Sequence, residues 1–124
     1  MTSLFADRKS LVLIVEDDAL LAMMAEDILQ GAGFSTLSAS NADEALVVLE
    51  KTPGIEIVFT DIDMPGSMDG LTFAEVVRVR WPDIHIAVTS GGAVRHQRFP
   101  QGSVFFRKPY RDSELIATLS QFAA

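Results

Sequence analysis

The chain has 124 residues, 48% of them hydrophobic and 22% charged, and 10 Lys and Arg against 17 Asp and Glu leave a formal net charge of −7. That length and balance predict one globular domain with a sizeable core, exclude a disordered or fibrous chain, and argue against direct nucleic-acid binding, which needs basic residues to neutralise phosphates. With no cysteine, disulfides, thiolate metal sites and Cys nucleophiles are excluded, and the longest apolar run, Ala19 to Ala25, is too short to span a membrane.

Residues 1–10 read as a loosely held tail and 11–124 as the domain. Leu11–Val15 is a short β-branched run running straight into Glu16-Asp17-Asp18, a buried strand rather than a signal peptide. Ala19–Gly31 has helical spacing, with Leu21, Met24, Ala25, Ile28 and Leu29 on one face and Gly31 or Gly33 as the stop. Residues 34–39 form a weaker strand, nearer an edge. Ala42–Lys51 is a helix capped by Asn41 and broken by Pro53-Gly54. A hydrophobic strand over 55–60, a helix over 71–81 stopped at Pro82 and a strand over 84–89 follow. In 91–103, Gly91, Gly92 and Pro100 leave room for about two turns, so a short or irregular helix is expected there. A strand over 104–106, expected like those over 11–15, 55–60 and 84–89 to be buried on both faces, and a helix over 112–122 complete the chain. Strands alternating with helices throughout imply right-handed crossovers and an α/β fold, a doubly wound parallel sheet with helices on both faces. The absence of a targeting or spanning segment leads to the expectation of a soluble, cytoplasmic protein without membrane contact.

In such sheets the ligand site lies outside the carboxyl ends of the strands, where the strand order reverses. The strand ends here carry Glu16, Asp17 and Asp18, then Asp61, then Thr89-Ser90-Gly91, then Lys108-Pro109. Carboxylates converging on one crevice repel each other unless a cation sits among them, and a hard divalent ion such as Mg2+ meets that need through oxygen ligands. Lys108, a hydroxyl at Thr89 or Ser90 and the amides after it suit a phosphoryl group. With no Cys, with His85 and His96 away from the strand ends and with no Gly-rich phosphate loop, an aspartate remains as the acceptor, and Asp61 is the best placed.

These motifs resemble the receiver domain of bacterial two-component response regulators over residues 11–122: Val-Glu-Asp-Asp at 15–18, Thr-Asp-Ile-Asp-Met-Pro at 60–65, Asp-Gly at 69–70, Thr-Ser-Gly at 89–91 and Lys-Pro at 108–109. The resemblance implies a five-stranded sheet of order 2-1-3-4-5, with Asp61 as phosphoacceptor. It further implies that Mg2+ is held by Asp17 directly, Glu16 through water, Asp61 and the Asp63 backbone carbonyl. Ser90 would be the switch hydroxyl, Phe105 the switch aromatic, Lys108 the phosphate-contacting lysine, and Lys108-Pro109 a cis bond. The implied donor is a sensor histidine kinase or a histidine phosphotransfer protein. With the chain ending at Ala124, no output domain is expected, and the message would pass to a protein target. Beyond self-phosphorylation and autodephosphorylation no enzymatic activity is expected.

The sequence departs from the family pattern in three places: one extra residue in the loop 64–70, a carboxylate at Asp63, and the shortened segment 91–103. Plainer readings stand beside some assignments: Asp18 as a helix cap, Asp69-Gly70 as turn and cap chemistry, Phe105 as core, and Arg95, His96 and Arg98 as a solvated face. Asp61-Ile62-Asp63 also resembles the Asp-X-Asp of haloacid-dehalogenase-type phosphatases, but that motif normally lies on the first strand, and no second acidic pair follows the lysine. A phosphorylation-independent adaptor is the third class.

Overall fold

The computed structural model describes residues 10–64, 68–91 and 99–123. Its strands are β1 (Leu11–Val15), β2 (Ser35–Ala39), β3 (Ile55–Asp61), β4 (His85–Ser90) and β5 (Val104–Arg107). Its helices are α1 (Ala19–Gly31), α2 (Ala42–Lys51), α3 (Gly70–Arg80) and α4 (Asp112–Ala123). All strand pairs are parallel, in the order β2-β1-β3-β4-β5. The weaker strand lies at an edge, as its half-polar sequence predicts. The order reverses between β1 and β3, so their carboxyl ends flank a crevice.

Alternation along the central strands feeds two cores. Leu13, Val15, Val58, Ile86 and Val88 face α2 and α3, where they meet Ala45, Leu49, Phe73 and Val77. Val12, Ile14, Ile57, Phe59 and Ala87 face α1 and α4, where they meet Ala25, Leu29, Leu115 and Leu119. Helix starts follow local chemistry: Asp18 accepts from the Leu20 and Leu21 amides, Asn41 from Glu44, and Asp69 from Thr72. At the end of α1 it is Gly33, at φ 97°, that turns the chain, and the Phe34 amide returns to the Leu29 carbonyl.

Two expectations need correction. The apolar residues of α1 do not share one buried face: Ala25 and Leu29 are buried, but Leu21 is 39% and Met24 51% exposed. The helix touches the sheet along a narrow stripe, and Leu21, Met24 and Ile28 instead line a groove of about 330 Å³ with Pro109 and Tyr110. Nor is β5 buried on both faces. It pairs with β4 alone, and of its apolar residues only Phe106 is buried. The tail 1–9, most of the segment expected to hold a short helix (92–98, with Arg95, His96 and Arg98), and 65–67 of the lengthened loop lie outside the described residues. Residues 99–103 form a turn in which both the amide and hydroxyl of Ser103 donate to the Pro100 carbonyl.

Candidate phosphoacceptor site

Register sets the site. Val15 pairs with Thr60 and Asp61 with Thr89. Beyond the strands, the Glu16 amide donates to the Ala39 carbonyl, Ile62 to Thr89, and Lys108 to Ser90. These bonds carry the backbone past each strand end in step, so residues far apart in sequence become neighbours.

Asp61, 5% exposed at the tip of β3, accepts from Lys108 Nζ through Oδ2 at 3.0 Å and from the Asp63 amide through Oδ1 at 2.8 Å. Lys108 also donates to Glu16 Oε1 at 3.3 Å, and Glu16 Oε2 accepts from the Asp18 amide at 3.1 Å. Burial pushes the Glu16 carboxyl above its ordinary pKa, and the Asp61 charge adds to the rise against the pull of the Asp18 amide and Lys108. For Lys108, burial alone would lower the pKa, but Asp61 and Glu16 together more than offset it, so the ammonium is held above the usual lysine range. The Lys108-Pro109 bond is cis.

One oxygen from each of Glu16, Asp17 and Asp61 lies within 4.8 Å of the others. This set is all carboxylate oxygen, with two members buried and Asp17 open to solvent. Hard divalent cations that retain several waters, Mg2+ above all, fit that donor set, whereas softer metals would call for thiolate or imidazole ligands.

The hydroxyls divide cleanly. Ser90, 1% exposed, donates to Asp63 Oδ2 at 2.6 Å, and the Gly91 amide donates to the same oxygen at 3.2 Å. Thr89 turns to the α1 side, where its Oγ1 is buried without a hydrogen-bond partner among the described residues. Phe105 is 37% exposed and stacks on Phe99 with ring centroids 5.2 Å apart, so it is not core.

Asp18 and Asp69 behave as caps, as the plainer readings have it. Gly70 does more than turn the chain: a Cβ there would collide with the Asp61 carbonyl oxygen and the Ile62 Cα. Sequence gave no signal for that close approach, nor for Tyr110, whose ring meets Phe59 edge-on at 5.8 Å beneath the site and whose hydroxyl is pushed up in pKa by burial. The carboxylate of Asp63, expected to matter through its backbone carbonyl, is itself a hydrogen-bond acceptor in the site.

A family model described as response regulator receiver domain matches residues 12–120. The response regulator NtrX-like of Rickettsia bellii (strain RML369-C) is 31% identical over 115 residues, which is 89% of this chain and 24% of that protein. The sensor kinase CckA of Brucella abortus (strain 2308) is 32% identical over 115 residues, 89% of this chain and 12% of that protein. Among solved structures, a response regulator receiver protein from Sinorhizobium medicae WSM419 aligns with a TM-score of 0.83 at 30% identity, over 93% of this chain and 94% of that one. The receiver domain of the hybrid histidine kinase CckA aligns at 0.79 and 26% identity, over 93% of this chain and 100% of that one. The chain thus spans a quarter or less of the full-length relatives named.

Proposed function

From the premise that this chain belongs to the response regulator receiver family, we propose that Asp61 accepts a phosphoryl group from a phosphohistidine on a sensor kinase or histidine phosphotransfer protein. The observation that carries the reading is the pairing of Asp61 Oδ2 with Lys108 Nζ at 3.0 Å, inside a cluster of carboxylates with Glu16 and Asp17. Stability gives no reason to bury acids together, so the cluster points to chemistry.

In the transfer, an Asp61 oxygen bonds to phosphorus as the P–N bond breaks. The bonding pair stays with the imidazole, which, protonated at its other nitrogen, leaves neutral. Lys108 offsets negative charge on the transferring oxygens, and Ser90 supplies a hydroxyl donor. Asp17, Asp61, Glu16 and the Asp63 carbonyl would hold Mg2+, which when bound supplies charge neutralisation for the phosphoryl oxygens. Ser90 and Phe105 then turn toward the modified site, Phe105 leaving its stack on Phe99, and the surface around β5 changes. The groove of Leu21, Met24, Ile28, Pro109 and Tyr110 opens beside Glu16 and Lys108, and it suits an apolar helix of the donor bringing its histidine to Asp61. Among the described residues no helix is long and apolar enough to cross a membrane.

Incubation with acetyl phosphate and Mg2+, read by intact mass, tests the assignment. The expected product is one alkali-labile phosphoryl adduct per chain, absent with a chelator and absent in Asp61→Asn. An adduct that survives in Asp61→Asn, or repeated turnover of phosphate monoesters, overturns it.

A further inference from the structure

The Asp63 carboxylate sits in an unexpected place. Its Oδ2 takes the one proton of the Ser90 hydroxyl at 2.6 Å and the Gly91 amide at 3.2 Å, while its own amide donates to Asp61 Oδ1 at 2.8 Å. A hydroxyl and an adjacent backbone amide at the end of β4, the strand paired with the one that carries Asp61, are donors of the kind an anion on Asp61 would use. They are already engaged by an anion belonging to the chain itself. Ile62 is buried between the two aspartates, which fixes the turn, but the Asp63 side chain is exposed and has solvent to swing into.

We propose that Asp63 is a built-in competitor of the phosphoryl group: its carboxylate occupies the Ser90 and Gly91 donors in the resting state and must leave them before Asp61-phosphate can use them. This rests on Asp61 being the phosphoacceptor. Two effects act together. The Ser90 hydroxyl has a single proton, so each bond it gives to Asp63 is withheld from the phosphoryl. The carboxylate also repels a phosphoryl dianion arriving on the aspartate two residues earlier. The modified state therefore forms only by exchanging one anion for another at the same donors. Asp63 sets how readily Ser90 switches without itself touching the transferred group, which makes it a positioning residue.

Equilibrium binding of beryllofluoride, a phosphoryl mimic, is measured by calorimetry in saturating Mg2+ for the wild type, Asp63→Ala, Ser90→Ala, the double variant and Asp61→Asn. Asp63→Ala is expected to bind about tenfold more tightly, the lower range for a charge-assisted hydrogen bond. In the Ser90→Ala background the gain from Asp63→Ala is expected to shrink to less than about threefold, because the contested donor is gone. Asp63→Asn, which keeps the shape without the charge, is expected to fall between the wild type and Asp63→Ala, and it carries the test alone if the alanine variant does not fold. Equal affinity of wild type and Asp63 variants, a gain of the same size in both backgrounds, or a loss of affinity overturns the proposal. Binding that is absent in every protein, or retained in Asp61→Asn, overturns the phosphoacceptor reading as well, so the two failures are distinguishable.

Discussion

Lys108 meets two carboxylates at once, and that arrangement explains why acids that would otherwise repel can share the crevice. Glu16 and Asp61 are buried and held by Lys108, whereas Asp17 is exposed. The three therefore answer differently to substitution. Asp17→Asn is expected to leave stability within about 0.5 kcal/mol of wild type without Mg2+, as surface changes usually do. A cation that binds only the folded chain stabilises it by about 2.7 kcal/mol at a hundredfold excess over its Kd. Urea unfolding with and without Mg2+ should show a gain for wild type that is largely lost in Asp17→Asn. An undiminished gain in the variant would remove Asp17 from the cation site. That Glu16, Asp17, Asp61 and Lys108 stand at or just past strand ends was legible in the sequence, because a short apolar run precedes each. The Asp63–Ser90 contact was not, since it joins residues on different strands through side-chain directions that only the folded turn fixes.

The start of α3 links element to site. Its first residue, Gly70, packs so closely on the Asp61 backbone that no side chain fits, and the contact is with main chain, which cannot rotate away. Gly70→Ala is expected to cost about 1–3 kcal/mol, the range for overpacking a tight site, and to slow adduct formation by displacing Asp61. Unchanged phosphorylation with normal stability would show that the backbone absorbs the methyl group. The preceding residue, Asp69, caps the helix, and the Thr72 amide on its carboxylate holds its pKa below the ordinary 3.8. A group depressed in the folded state contributes stability above its unfolded pKa and loses it as pH falls through the folded one. The difference between wild type and Asp69→Ala should therefore be about 1 kcal/mol at neutral pH and shrink as the pH drops below 3.8. A difference that persists in acid would assign the effect to something other than the ionised cap. Element boundaries were largely legible, since caps and breakers act locally; Ala19–Gly31 and Ala42–Lys51 are found as the spacing predicts. The exposure of Leu21 and Met24 was not legible, because apolar spacing shows that a face exists but not how wide a stripe the sheet will cover.

Across the molecule, β1, β3 and β4 are flanked by neighbours on both sides, while β2 and β5 each have one. Amide exchange should be slowest in Val12, Ile14, Val58 and Ile86 and faster by orders of magnitude in β5, because opening an edge strand exposes little core. Equal protection of β5 and β3 would mean that the sheet opens only as a whole. The same central strands that bury the most surface also carry Asp61 and Glu16 at their tips, so the site is held by the most stable part of the fold. By itself, the sequence determined the alternation of strands and helices, the sheet order through family resemblance, the caps and the acids at strand ends, because these are written in local spacing and residue type. The tertiary structure decided the rest: that Thr89 turns to the α1 side while Ser90 meets Asp63, that Phe105 stacks on Phe99 at the surface, that Gly70 must lack a side chain and that Asp63 occupies the Ser90 and Gly91 donors. Each depends on register and side-chain direction between segments distant in the chain, and these exist only once parallel pairing has set neighbouring strands in step.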